Sequence, residues 1–283
     1  MQLTNFRSLI PKYKAIFLDS YGVVKNHMGL IDGVPAVIEY IRECDIPFKI
    51  LTNDASRSPQ KQSQRFAESG LHLEASEIIT SGMMAKKFLK NKISSGKVAY
   101  LGTKSSAQYI IRANLEAIPV ADVNLLNIDE VTAMVFLDDE GFNWNVDINA
   151  TLNLLRKRNI PAIVANSDTI YPVAKNNVAI ATGGIAQLVE NILGRKFIHF
   201  GKPDSQMFMY AFEKVNEIGY IKRKDVLMVG DTLHTDILGG NKFGVDTCLV
   251  LSGNTSAKNA KSSIRSSGVI PDFICESILS YKS

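Results

Sequence analysis

Only three cysteines, Cys44, Cys248 and Cys275, occur among the 283 residues, an odd number with no CxxC pair. Such a set builds neither a disulfide framework nor a thiolate metal knot, so buried thiols in a reducing compartment are expected. Long hydrophobic runs are missing too. Stretches such as 15–18 and 133–137 fall far short of the roughly 20 residues that a membrane-spanning helix requires, and Arg7, Lys12 and Lys14 interrupt any signal-peptide core. A cytoplasmic chain with no membrane partner is the expectation. Neither sign of charge dominates: 32 basic residues face 28 acidic ones, and no run of like charge is long enough to form a nucleic-acid stripe, so no nucleic-acid partner is expected. No GxGxxG follows an apolar run and no GxxxxGK[ST] loop occurs, which sets aside a dinucleotide-dependent dehydrogenase and a P-loop kinase. Internal repeats and low-complexity segments are absent; residues 252–268, rich in Ser, Asn, Lys and Gly, are expected to run over the surface.

What is present is an alternation. At 46% hydrophobic content the chain can bury a sizeable core, and its length suggests two modest domains. Residues 14–18 read as a strand, after which Val34, Val37, Ile38 and Ile41 form an i, i+3, i+4, i+7 helical stripe. Strands over 47–52, 97–101, 131–137, 161–165, 225–229 and 246–251 follow. Helices are expected over 59–69 and 83–89, around Ile148, Leu152 and Leu155, and along Ile185, Leu188, Val189 and Ile192. Strands separated by helices imply an α/β fold with parallel sheets, because a parallel crossover must be long and right-handed.

Four segments carry groups suited to chemistry. The first strand exits through Asp19-Ser20-Tyr21-Gly22, placing a carboxylate at the carboxyl edge of a parallel sheet, where open α/β folds hold ligands, with Gly22 permitting a sharp turn. Alone, Asp19 reads more readily as a cap or turn former. The second segment, Thr52-Asn53-Asp54, offers a hydroxyl and an amide able to hold phosphate oxygens, or a helix cap before Pro59. The third, Gly201-Lys202-Pro203, places a cation in a loop, where lysine is usually solvated. The fourth is the most specific: after the strand 225–229 come Gly230, Asp231 and, five residues later, Asp236. Clustered carboxylates suit a hard cation such as Mg²⁺ rather than zinc.

In order and setting, Asp19, Thr52-Asn53, Lys202 and Gly230-Asp231 with Asp236 resemble the four motifs of the haloacid dehalogenase (HAD) superfamily. The similarity is greatest to the class IIA branch of NagD-like and para-nitrophenylphosphatase-like hydrolases. It extends to Ala165-Asn166-Ser167-Asp168 with Pro172, the Gly183-Gly184 helix ending near Gly194, and the strand end 249–253. The resemblance implies a Rossmann-like core with a parallel sheet, formed by residues 1–81 and 198–283, and an inserted α/β cap of C2 type over 82–197. It implies a Mg²⁺-dependent phosphatase acting on a small phosphorylated substrate. Asp19 would be the nucleophile forming an aspartyl-phosphate; Mg²⁺ would be held by Asp19, Asp231 and the Tyr21 carbonyl; and Lys202 would neutralise the transferring oxygens. Thr52 and Asn53 would orient the phosphoryl group beside Gly22, and Asp236 would hold a metal-bound water or fix Lys202. Asp168 would contact the leaving group, unless it is a turn aspartate. Caps of this branch often pair, so a homodimer is compatible with the resemblance.

One position departs from the pattern. Two residues after the nucleophile the family places a second aspartate, its general acid and base, and here Tyr21 stands. A phenol of ordinary pKa about 10 is a poor base at neutral pH. Slow turnover with accumulation of phosphoenzyme is therefore expected, with Asp54, where the branch more often has asparagine, as a candidate substitute or simply a helix cap. Two other readings remain from Tyr21: a phosphate-ester-binding regulatory protein, and a phosphotransferase to an acceptor other than water.

Overall fold

A computed structural model describes residues 3–174 and 177–279. The chain separates into two compact units, one made of Met1–Thr52, Pro59–Ile79 and Lys202–Ser283, the other of Asn53–Ser58 and Thr80–Gly201. It is an α/β fold, each unit built on a parallel sheet.

The larger unit holds a six-stranded sheet in the order Phe273–Cys275, Asp246–Val250, Val226–Gly230, Ala15–Asp19, Phe48–Thr52, Ile78–Thr80. The strand Ala15–Asp19 is central and buried along its whole length, so its sequence is a continuous apolar run rather than an alternating one. It pairs in parallel with Val226–Gly230 on one side (Ala15 with Val226) and with Phe48–Thr52 on the other (Ile16 with Phe48). The chain thus proceeds from the first strand in one direction and returns much later to its other flank. Such a reversal of strand order leaves a crevice at the carboxyl ends of the strands. The helix Val34–Glu43 buries Val34, Val37, Ile38 and Ile41, the four residues of the sequence stripe, in a cluster with Ile16, Leu18 and Ile50.

The smaller unit has a five-stranded parallel sheet in the order Ile198–His199, Ala162–Val164, Val131–Phe136, Lys97–Leu101, Glu116–Pro119, and a two-stranded antiparallel ribbon, Ile170–Ala174 with Asn177–Ile180. The helix Thr182–Leu193 forms where the apolar periodicity places it, but its buried residues are Thr182, Gly183, Ile185, Ala186, Val189 and Glu190, while Leu188 and Ile192 are more than half exposed. Glu190 turns inward, where the Phe197 amide donates to its carboxylate and His199 lies 3.1 Å from it, so the buried face includes a polar residue while Leu188 stays exposed. The segment 252–268 is also not simply surface: Thr255 and Ala260 are buried and Ala260–Ser267 is a helix. Among the described residues no helix is long and apolar enough to cross a membrane.

Candidate active site

Three strand ends meet at the crevice. Asp19 closes the first strand, Thr52 its neighbour, and Asp231 follows Gly230 on the other side. Parallel register brings these ends level, with Leu18 opposite Val229 and Asp19 opposite Leu51. Lys202, expected from sequence in a solvated loop, is 2% exposed, and its bond to Pro203 is cis. Its ammonium donates to Asp19 Oδ1 and, at 3.0 Å, to the Leu51 carbonyl, and it pairs with Asp236 Oδ1 at 2.7 Å. Asp236 is held in place by a single π-helical turn, Leu233–Ile237, its Oδ2 accepting from the Thr232 amide at 3.0 Å. Wide turns of this kind recur at functional sites because they re-aim a side chain without ending the helix.

The electrostatics are those of an underneutralised pocket. One oxygen each from Asp19, Asp231 and Asp236 lies within 4.8 Å of the others, all three residues are buried, and Lys202 is the cation paired with Asp19 and Asp236. Burial and the neighbouring Asp236 push the Asp231 carboxyl up to about 7, the bonds from Asn254 and Thr232 only partly opposing them. Burial likewise raises Asp19 well above the ordinary carboxylate range, with Asp236 and Asp231 adding to the effect and Lys202 opposing it. Burial alone would disfavour the Lys202 ammonium, but Asp19 and Asp236 outweigh it and hold its pKa above the usual lysine value. Excess buried negative charge among oxygen donors fits a hard divalent cation that retains water ligands, and magnesium meets that description.

Tyr21 is half-buried in the turn after Asp19, and the chain folds back at Gly22, whose φ is +82° and whose amide donates to the Lys25 carbonyl at 2.7 Å. A Cβ at Gly22 would overlap the Asp231 carboxylate. Burial first, and then the Asp231 charge, raises the phenol pKa of Tyr21. The phenol therefore keeps its proton at neutral pH and can donate but not accept one.

Thr52 and Asn53 are adjacent in sequence yet belong to different units. In the smaller unit, Asn53 Nδ2 donates to Asp168 Oδ1 at 2.9 Å, the Asn53 carbonyl accepts from Ser81 Oγ at 2.8 Å, and Asp168 is fixed by its own amide to Asn166 Oδ1 at 2.9 Å. Asp54 Oδ1 accepts from the Ser56 amide at 2.8 Å and from its hydroxyl, the geometry of a turn-forming aspartate.

Sequence reasoning gives no role to Thr232 and Asn254, and it marks Ser252 and Gly253 only as part of the strand end 249–253. Thr232 Oγ1 donates to Asp231 Oδ1 at 2.8 Å, the Asn254 amide donates to Asp231 Oδ2 at 2.6 Å, and Ser252 Oγ donates to the Gly22 carbonyl at 2.8 Å. The available signal was position. Ser252, Gly253 and Asn254 leave the carboxyl end of Asp246–Val250, the strand beside Val226–Gly230, and Thr232 follows Asp231 at the end of the latter.

Residues 16–116 match the family model of haloacid dehalogenase-like hydrolases, and residues 199–280 match a HAD-hydrolase-like family model. A crystal structure from Cytophaga hutchinsonii, described as a possible sugar phosphatase of the HAD superfamily, is 51% identical, covers 100% of both chains and superposes with a TM-score of 0.96. Mouse chronophin is 26% identical over 96% of this chain and 93% of its own length. The ribonucleotide monophosphatase NagD of Escherichia coli is 28% identical over 86% of this chain and 89% of its own. The chain belongs to the HAD-like hydrolases, in their class IIA phosphatase branch.

Proposed function

We propose that the protein is a magnesium-dependent phosphatase that hydrolyses a small phosphorylated metabolite through an aspartyl-phosphate at Asp19, and does so slowly. The observation that carries this reading is the buried convergence of Asp19, Lys202, Asp231 and Asp236 at adjoining strand ends. In the first step Asp19 attacks phosphorus, the bond to the leaving oxygen breaks, and the acyl phosphate forms; in the second, water attacks phosphorus and Asp19 is released. Lys202 neutralises the transferring oxygens, and Asp236 keeps its ammonium aimed at Asp19. Thr52, at the end of its strand, orients the phosphoryl group. Asp19 and Asp231, with the Tyr21 carbonyl, would hold magnesium. When bound, the ion supplies positive charge that lets an anionic carboxylate approach an anionic phosphoryl group. Tyr21 supports slow turnover because a protonated phenol cannot activate water.

The test is a panel of phosphate esters, with phosphorylated sugars first because of the Cytophaga relative, assayed with and without Mg²⁺ and in parallel on Asp19→Asn. Turnover that needs both Mg²⁺ and Asp19 supports the reading. Tight ester binding without turnover in any condition would favour a binding protein instead.

The carboxylate cluster also sets a pH dependence. Asp231 is raised from 3.8 to about 7, so its protonated form stabilises the magnesium-free fold below pH 3.8, and this contribution is lost as pH rises through about 7. Magnesium binds the ionised form and should restore it. The magnesium-induced rise in Tm is expected to grow from pH 5 to pH 8; an equal rise at both would count against Asp231 as a ligand.

A further inference from the structure

We infer that Thr232 and Asn254 are metal-positioning residues: a strap leaving the strand Asp246–Val250 holds the Asp231 carboxylate in one orientation and so sets magnesium affinity. The inference rests on the reading of Asp231 as a magnesium ligand and goes beyond it, since neither residue touches the reacting atoms.

The strap makes contacts on several sides of Asp231. The Asn254 amide donates to Oδ2 at 2.6 Å, and the Thr255 amide donates to the Asp231 backbone carbonyl at 3.1 Å. Asn254 Nδ2 donates to Thr232 Oγ1 at 2.8 Å, and Thr232 in turn donates to Asp231 Oδ1 at 2.8 Å. The threonine hydroxyl has one proton. With Asn254 donating to its lone pair, that proton is directed to the carboxylate, and donation of this kind polarises the next bond in the chain. Both carboxylate oxygens therefore carry one fixed donor and keep a free lone pair for a cation. Steric walls complete the arrangement, because a Cβ at either Gly22 or Gly253 would overlap the Asp231 carboxyl group. Gly253 needs no unusual backbone angle, so the requirement for glycine there is one of space. Ser252 Oγ, bonded to the Gly22 carbonyl at 2.8 Å, ties the same strap to the turn that follows Asp19. Hydrogen bonds to a ligating carboxylate restrict its rotation, so that less freedom is lost when the ion binds.

Magnesium binding is measured by titration calorimetry without substrate on the parent, Thr232→Val, Thr232→Ser, Asn254→Ala and the double variant Thr232→Val/Asn254→Ala. Valine keeps the shape of threonine and removes only the hydroxyl. The Thr232→Val dissociation constant should rise roughly 10-fold or more, the usual effect of removing an outer-shell partner. Thr232→Ser should stay near the parent, Asn254→Ala should be weakened less than Thr232→Val, and the double variant should be no weaker than Thr232→Val alone, because both act through one bond. Excess magnesium should return kcat of Thr232→Val to the parent value with the ester KM unchanged, a pattern that a loss of stability alone does not produce. If Thr232→Val does not fold, Asn254→Ala, which changes an exposed side chain, carries the same comparison. A parent that binds magnesium while Thr232→Val or Asn254→Ala binds it equally well overturns the inference. A parent that binds none overturns the assignment of Asp231 and the inference with it.

Discussion

Asp19→Asn should abolish turnover and at the same time raise the stability of the magnesium-free protein. The amide matches the carboxylate in shape, and its oxygen can still accept the Ser20 amide that now donates to Asp19 Oδ1 at 2.7 Å. It cannot form an acyl phosphate. Removal of a covalent nucleophile costs on the order of 10⁶-fold in rate, so no ester in the panel should be turned over measurably. The opposite effect on stability follows from the charge balance. Burial, and after it Asp236 and Asp231, disfavour the charge on Asp19 by more than Lys202 favours it. A group whose charged form is disfavoured in the fold costs stability when it must ionise, and asparagine never does. Lys202 retains Asp236 at 2.7 Å and the Leu51 carbonyl at 3.0 Å, so the ammonium is not left unpaired. Thermal unfolding at pH 8 without magnesium should show a higher Tm for Asp19→Asn than for the parent, and added Mg²⁺ should narrow the gap. Residual turnover within about 10-fold of the parent would show that the chemistry does not pass through Asp19.

Three parts of this site that are legible in sequence share one property: each sits where a run of buried apolar residues ends. Asp19, Thr52 and Asp231 can be placed because a strand buried on both faces is written as a mainly apolar stretch, broken here only by Lys49, and its carboxyl end is where a parallel sheet exposes groups to a ligand. Lys202 is different. Nothing about its local sequence predicts a buried ammonium, and its burial depends on carboxylates 183 residues earlier and 34 residues later in the chain. The strap is harder still, since Ser252, Gly253 and Asn254 have the composition of a surface loop, and their role lies in backbone amides and in the absence of a side chain. Short strands are illegible for a simpler reason: Ile78–Thr80 and Phe273–Cys275 have three residues each, too few to show a period of two. Periodicity does not give the buried face of the helix Thr182–Leu193, because it ranks Leu188 above Glu190, whereas the hydrogen bonds at Glu190 rank them the other way.

Tyr21→Asp is expected to produce the largest gain of any single change, roughly 10²–10⁴-fold in kcat, the range that general acid and base catalysis contributes. Burial and the charge of Asp231 keep the Tyr21 phenol protonated, so the parent can offer a proton to a leaving oxygen only with difficulty and can take none from water. The second step suffers more. An activated ester has a leaving group that needs little protonation, whereas hydrolysis of the acyl phosphate at Asp19 always requires water to lose a proton. The parent should therefore show a burst of released alcohol followed by a slow steady rate, with phosphate held on the protein. In Tyr21→Asp the burst should shrink as the steady rate rises. The substitution has an opposite effect on the fold, because a further carboxylate near Asp231 deepens the excess of negative charge. Its Tm without magnesium should fall below that of the parent, and the magnesium-induced rise should be larger. A burst that persists unchanged in Tyr21→Asp, with no gain in steady turnover, would mean that Tyr21 is not what limits the hydrolytic step.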